Sequence, residues 1–416
     1  MGASLAAPAG RTSAWLTPWL GQLPPPAGDL AAVQQRGRRA LAEQPLPGSR
    51  EEAWRFTDLS LLAQLPLQPA SAAEPNPPLP PAEPGVLRLH LDGCGDPLAG
   101  LDLPNGLQPL SAVELAQGLG HTLAATGCEH HWPVELNHAT ASRVLALRVA
   151  SRAQVRLELV SAQPAALMPL RLLLVLEEKA ELELSQLLLA QQPGLTSLVL
   201  EAHLARSARL EHGLVALGHP DAALLGHLAV EQEPESSVAL TSVSAGWGLA
   251  RLEPRLLQVD GQAQSTLRGL QLVDGHQIAD THSHVHFGGP EGQLDQVHKA
   301  VAAGQGRSVF NGAVRVPRAA QRTNAAQLSR NLLLSDRARI DTKPELEIVA
   351  DDVKCAHGAT VSSLQTEELF YLQSRGIDAD QAAGLLKRAF CEEVLRQLPA
   401  PARACCPPER LQLEVR

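Results

Sequence analysis

Between about Val144 and Thr360 the chain repeats one texture: short runs of alternating apolar and polar residues, each closed by Gly, Pro, Ser or charged residues. Val155-Arg-Leu157-Glu-Leu159, Leu182-Glu-Leu184 and Leu198-Val-Leu200-Glu-Ala202 are examples. A period of two sends alternate side chains to one face of a strand. Strand starts led by a small residue recur at Ala153, Ala180, Ala208 and Val238, in steps of 27, 28 and 30 residues. That spacing predicts a solenoid whose coils stack to bury one continuous core. Helical patterns between the strands are missing, which disfavours a βαβ sheet. Periodicity leaves a β-helix and a β-sandwich open and leans to the first. Composition agrees: 44% of the residues are hydrophobic but only 3% aromatic, so the core must be built from Leu, Val and Ala.

The flanks read differently. Asp29–Glu43 places Leu30, Val33, Ala40 and Leu41 at near-helical spacing. Eight prolines between Pro66 and Pro84 predict an extended linker. A strand at Val86–Leu91 and a turn-rich stretch follow, then a helix capped by Ser111 with Glu114 completing a capping box. Past the strand region, Thr366 caps one helix that Gly376 stops, and Asp378 with Gln381 starts a second that runs to about Leu398. The apolar stripe of the second helix is Leu385, Leu386, Ala389, Phe390 and Val394. The reading divides the chain into a helical and mixed region (1–140, with the linker at 66–84), a β core (141–363) and a C-terminal helical region with a tail (364–416).

Several function classes are excluded. The net charge of −9 and the lack of a Lys/Arg-rich run with interleaved aromatics argue against nucleic acid. No apolar run reaches the roughly 18–20 residues of a membrane span, and the N-terminus lacks the pattern of an export signal. The expected location is therefore cytoplasmic, with the six cysteines (Cys94, Cys128, Cys355, Cys391, Cys405, Cys406) as reduced thiols. Vicinal Cys405 and Cys406 fall in the expected tail and carry no expected role. No GxxxxGK[ST] segment occurs, so the chain has no ATP site of the P-loop kind.

One pair carries chemistry. Cys355 and His357 stand two residues apart at the end of a strand-like run, so a thiol and an imidazole project from one face. Such a pair suits a soft metal, an iron–sulfur edge or a transferred sulfur, or packs as a buried Cys beside a hydrogen-bonded His. Asp351, Asp352, Glu345 and Glu347 make its surroundings acidic, which predicts a raised thiol pKa. His282, His284 and His286 alternate on a second strand, with His276 and His298 nearby. Neighbours on one strand stand about 6.5–7 Å apart, and a mononuclear zinc site draws ligands from more than one segment.

The segments around the pair, Asn331–Ile348 (NLLLSDRARIDTKPELEI), Ala350–Thr360 (ADDVKCAHGAT) and Leu369–Ile377 (LFYLQSRGI), resemble the C-terminal signature of the SufB/SufD family. Val309–Val316 and Gln321–Ala325 also fit, and Glu52–Leu59 (EAWRFTDL) is similar to the opening motif of its SufD branch. Gly358 after the His, and the absence of Cys from Ser335–Pro344, favour that branch over SufB. The resemblance implies a parallel β-helix flanked by helical regions. It also implies a non-enzymatic scaffold subunit of an iron–sulfur cluster assembly complex, pairing with SufB and binding the ATPase SufC. Cys355 and His357 would then be this subunit's share of a transient iron–sulfur cluster held with SufB. The last β-helix strands, with Asp341, Thr342, Pro344, Glu347 and Asp352, would meet SufB. The C-terminal helices, with Leu369, Phe370, Leu385, Leu386 and Phe390, would meet SufC. Family complexes also bind reduced flavin, for which this chain has no motif. Two alternatives stay open: a homodimeric brace with no direct cluster ligand, and a β-helix carbohydrate-active enzyme. The second is disfavoured by the few aromatics available to stack on sugar.

Overall fold

Among the described residues, seven non-glycine positions adopt positive φ: Arg152, Lys179, Ser207, Glu235, Gln262, Glu291 and Arg322. Each sits two residues before a strand, and each donates its N–H to a carbonyl of the next corner along, as from Lys179 to Arg206 and from Glu291 to Gln321. The left-handed conformation costs L-residues about 1–2 kcal/mol each. Its recurrence coil after coil shows that the stacked corners over-determine it.

The structure is a computed structural model that describes residues 15–68 and 79–406. Corners of this kind join two nine-stranded sheets that share one core. The first sheet stacks β1 (Val86–His90), β4 (Gln154–Gln163), β6 (Glu181–Ala190), β8 (Arg209–Leu217), β10 (Ser237–Ala245), β12 (Gln264–Val273), β14 (Gln293–Ala302), β16 (Asn324–Leu333) and β18 (Lys354–Ser362). The second stacks β2 (Leu107–Pro109), β3 (Leu145–Val149), β5 (Leu167–Leu176), β7 (Gly194–Leu204), β9 (Ala222–Gln232), β11 (Leu249–Gln258), β13 (Ile278–Phe287), β15 (Arg307–Val316) and β17 (Arg339–Ile348). All neighbours are parallel except β2, which runs antiparallel to β3. This is the expected parallel β-helix. Inward side chains line up in columns: Val155, Leu182, Leu210 and Val238 form one, Leu157 and Leu184 start another. Each buried Leu contributes about 1.5–3 kcal/mol.

One detail of the repeat differs from the sequence reading. Val238 is in register with Val155, not with Ala153, and the corner equivalent to Ala208 is Ser236. The corner needs a small residue, and Ser236 meets that need while its hydroxyl donates to Glu233 O at 2.6 Å.

Both outer faces are covered. The N-terminal helices α1 (Leu16–Leu20), α2 (Ala31–Glu43), α3 (Ala112–Gly118), α4 (His121–Ala125) and α5 (Trp132–Thr140) accompany the second sheet. Ser111 and Glu114 form the expected capping box on α3. Gly37 lets α2 approach α5, since a Cβ there would lie 2.5 Å from Ala139 N. Residues 69–78 of the proline-rich stretch lie outside the described residues, and its start is pinned: Leu67 is buried, and Gln68 O accepts from Leu167 N at 2.9 Å.

The C-terminal helices α6 (Thr366–Gln373), α7 (Ala379–Leu395) and α8 (Ala400–Ala404) follow β18. Thr366 is the first residue of α6 and makes no cap bond, the N-cap being Gln365. Asp378 caps α7 by accepting from Gln381 N. The face of α7 that packs is Ala382, Ala383, Lys387, Cys391, Val394 and Leu395, which leaves Leu385 and Ala389 of the expected stripe exposed. Small residues allow the helix close to the sheet. Cys405 and Cys406 are not in a loose tail: Cys406 is buried with Cys391 and Leu398 against the first sheet. Among the described residues no helix is long and apolar enough to cross a membrane.

Candidate functional site

The two ends of the solenoid differ. At the start, Leu89, Leu91 and Leu107 close the core. At the other end the C-terminal helices turn back along the outer face of the first sheet, touching β6, β8 and β12. Strands β17 and β18 are therefore edges, and their inward side chains are only partly covered.

Cys355 and His357 belong to this open end. The column Val155, Leu182, Leu210, Val238, Ser265, Leu294 and Ala325 is buried throughout, and Cys355 is its last member. The neighbouring column runs Leu157, Leu184, His212, Leu240, Leu267, Gln296, Gln327 and ends on exposed His357. It turns polar in its last coils. Gln327 Nε2 donates to Gln296 Oε1 at 2.9 Å, and Gln296 Nε2 donates to Ser283 Oγ at 2.7 Å. Burial pushes the Cys355 thiol up, and a backbone hydrogen bond from Ala325 opposes it. The nearby carboxylates are not the cause, because Asp351 and Asp352 lie in the corner before β18. Glu345 and Glu347 project from the outward face of β17, the face opposite buried Phe310 and Val314 in register.

The expected partner-facing residues spread over the same end. Thr342 points inward and donates to Ser329 Oγ at 2.9 Å, and Pro344 stands in register with Gly312. Asp341 faces outward, 2.7 Å from Arg307 Nε, and Glu347 lies 3.5 Å from Arg315. The Asp352 carbonyl accepts from Arg322 N. Ile348, Val349 and Val361 expose apolar surface here. On the C-terminal helices Phe370 is 69% exposed and Leu385 49%, Leu369 and Leu386 are half-buried, and Phe390 lies under Lys299 Nζ, 4.4 Å from its ring centre.

The histidine-rich strand does not converge. His282 bonds Asp280 at 3.0 Å. Burial holds His284 down at about 4, and burial followed by Arg315 lowers His286. His298 is inside, stacked on Phe310 with ring centres 4.3 Å apart.

The opening motif has a visible purpose. The Arg251 guanidinium lies 3.7 Å from the Trp54 ring centre and donates to Ala53 O at 2.9 Å. Thr57 Oγ1 donates to Asp280, which also pairs with Arg251. Lys343 Nζ reaches Glu52 Oε1 at 2.5 Å. Glu52–Leu59 thus clamps the N-terminal segment to β11, β13 and β17.

A set of three ligands was not legible from sequence. His131, His227 and Glu253 are the group of potential metal ligands whose atoms converge within 4.8 Å among the described residues; Cys355 and His357 join no such group.

Residues 159–390 match the family model described as SUF system FeS cluster assembly, SufBD core domain. The chain is 34% identical over 399 residues to an iron–sulfur cluster assembly SufBD family protein of Synechocystis, covering 89% of this chain and 88% of that one. It is 40% identical over 205 residues to the chloroplastic protein ABCI7 of Arabidopsis thaliana, covering 49% of this chain and 43% of the relative. It is 33% identical over 198 residues to the iron–sulfur cluster assembly protein SufD of Escherichia coli, covering 47% and 46%. The family-model match across more than half of the chain, with the Synechocystis relative covered over most of both lengths, places this chain in the SufBD family of SUF-system iron–sulfur cluster assembly proteins.

Proposed function

We propose that the chain is a SufD-like, non-catalytic scaffold subunit whose open solenoid end pairs with a SufB subunit. Cys355 and His357 then face a nascent cluster across that junction. The observation that carries this reading is the termination of two buried columns in Cys355 and His357 on an unpaired edge strand. An open parallel edge offers unpaired backbone groups and a row of inward side chains, which a second solenoid can continue. A thiol and an imidazole make too few ligands for a cluster by themselves, so the remainder must come from elsewhere. Phe370, Tyr371 and Leu385 form the face on which the ATPase SufC docks in this reading, supplying the nucleotide chemistry for which this chain has no P-loop.

The test is co-purification with SufB and SufC, then anaerobic cluster reconstitution followed by absorption spectroscopy. The expected result is a ternary complex whose cluster yield falls when Cys355 or His357 is replaced. Unchanged yield in both variants removes the pair from the site and leaves the homodimeric brace.

A further inference from the structure

Three donor atoms from three separate segments meet on the outer face of the second sheet. His131 Nδ1, at the N-cap of α5, lies 3.2 Å from His227 Nε2 on β9 and 3.2 Å from Glu253 Oε2 on β11. His227 Nε2 lies 3.2 Å from the same carboxylate oxygen. The three atoms thus mark a near-equilateral triangle. Dividing its side by the square root of three puts the centre about 1.85 Å from each donor, so an ion slightly out of plane reaches the roughly 2.0–2.2 Å of zinc bonds to imidazole nitrogen and carboxylate oxygen.

Without an ion the three groups share hydrogen bonds, with His131 Nδ1 3.2 Å from both His227 Nε2 and Glu253 Oε2. A neutral imidazole presents one N–H or one lone pair along its ring plane at each nitrogen. Shared between two partners, a single N–H lies off the line to each of them, which weakens both bonds. Two imidazole nitrogens and a carboxylate oxygen within 3.2 Å of one another are also the donor set that a borderline divalent ion accepts.

The surroundings hold the donors in place. Glu253 Oε1 accepts from Arg251 Nε at 2.7 Å, which leaves Oε2 for the two imidazoles. Arg251 is itself fixed by Trp54, Ala53 and Asp280. Asn137 fastens α5 to the sheet by donating to Leu170 O and Ser197 O. His227 and Glu253 are buried, whereas the side chain of His131 is 34% exposed, which gives an entry path and room for a water as fourth ligand. Arg255 Nη1 stands 3.7 Å from Glu253 Oε2 and its charge opposes a bound cation.

We propose that His131, His227 and Glu253 form a mononuclear site for a divalent first-row transition ion, zinc or ferrous iron, that ties the N-terminal helical layer to the solenoid. The ligands come from α5 and two adjacent strands, as a mononuclear site requires, and they lie on strands well before the open edge at β17. Because it shares no residue with Cys355 or His357, this site stands or fails independently of the junction reading.

The test uses the full chain stripped of metal by a chelator. Cobalt(II) is titrated near neutral pH while visible d–d absorption is recorded, and zinc then competes; a separate anaerobic arm uses ferrous iron. The expected result is one cobalt per chain with the intense bands of a four- or five-coordinate N/O site, and a rise in Tm on loading. Zinc displacing cobalt with ferrous iron failing to compete assigns the site to zinc, and the reverse assigns it to iron. In His131→Gln the bands disappear while far-ultraviolet circular dichroism stays unchanged, because this half-exposed side chain is the ligand least tied to the core. In Arg255→Gln affinity rises about tenfold, the response to removing a like charge. No bands and no Tm rise with any of the three ions overturns the proposal. So do bands that persist in His131→Gln and vanish in His357→Ala.

Discussion

His357 stands in register with Gln327 one coil away, yet Gln327 is buried and His357 is exposed. The two side chains occupy equivalent inward positions, and only the absence of a following coil separates them. The stack therefore stops at residues that an additional solenoid would bury.

If that end is a junction, charge introduced there blocks pairing without unfolding the subunit. Leu346 is in register with buried Val314 but is itself only half-buried. Leu346→Lys keeps the lysine stem on apolar surface with its head in water, so the expected loss of subunit stability is about 1–2 kcal/mol. Burying that ammonium against a second solenoid is far more costly. The expected outcome is a folded chain, by circular dichroism, that no longer co-purifies with SufB. Retained co-purification would falsify the open-end junction.

Cys355 and His357 sit on an edge strand, so their replacement spares the fold. Cys355→Ala and His357→Ala each cost about 1 kcal/mol or less, because Cys355 is only partly covered at the rim of the core and His357 is exposed. Urea unfolding of the isolated chain checks this. A loss of several kcal/mol shows instead that the pair serves packing.

The motif Glu52–Leu59 is expected to act as a clamp. Trp54→Ala removes a buried ring together with its contact to the Arg251 guanidinium. Large aromatic-to-alanine changes in cores cost about 3–5 kcal/mol, and a desolvated cation–π contact adds about 2 kcal/mol at most. The measurement is the urea midpoint, with limited proteolysis reporting release of the N-terminal segment. Near-wild-type stability with protection intact sinks the clamp.

How far the sequence spoke depends on how local each signal is. The solenoid was legible because alternation in Val155–Leu159 or Leu182–Leu184 is a local consequence of facing a core. The capping box at Ser111 and Glu114 is likewise local. The face of α7 was not legible: Leu385 and Leu386 outweigh Ala382 and Cys391 in hydrophobicity, yet the sheet takes the smaller residues because they allow close approach. Cys405 and Cys406 read as tail because Pro407 and Pro408 follow them, whereas α8 docks where Gly213 leaves room for Pro399. His131, His227 and Glu253 meet only through folding, and their one local sign is an ionisable residue inside the apolar run Ala222–Val230. The Cys355/His357 pair was visible as a pair. Its position at the end of two buried columns needed the register.

Buried histidines give the last prediction. His298 is stacked on Phe310 inside the solenoid, and its two ring nitrogens lack partners. Burial lowers its pKa from 6.5 to about 3, with Asp280 acting weakly in the opposite direction. A depressed histidine favours the folded state fully above the unfolded pKa, and that contribution is lost as pH falls from 6.5 toward the folded value, because the unfolded chain binds the proton first. The slope is about 1.4 kcal/mol for each pH unit in that window. His298→Leu, close in volume and without a titrating group, is expected to flatten the acid limb. Its stability relative to the native sequence should rise by about 2 kcal/mol between pH 7 and pH 5. Urea midpoints taken at both pH values supply the comparison, and an unchanged difference between the two proteins means that His298 is hydrated or protonated where it lies.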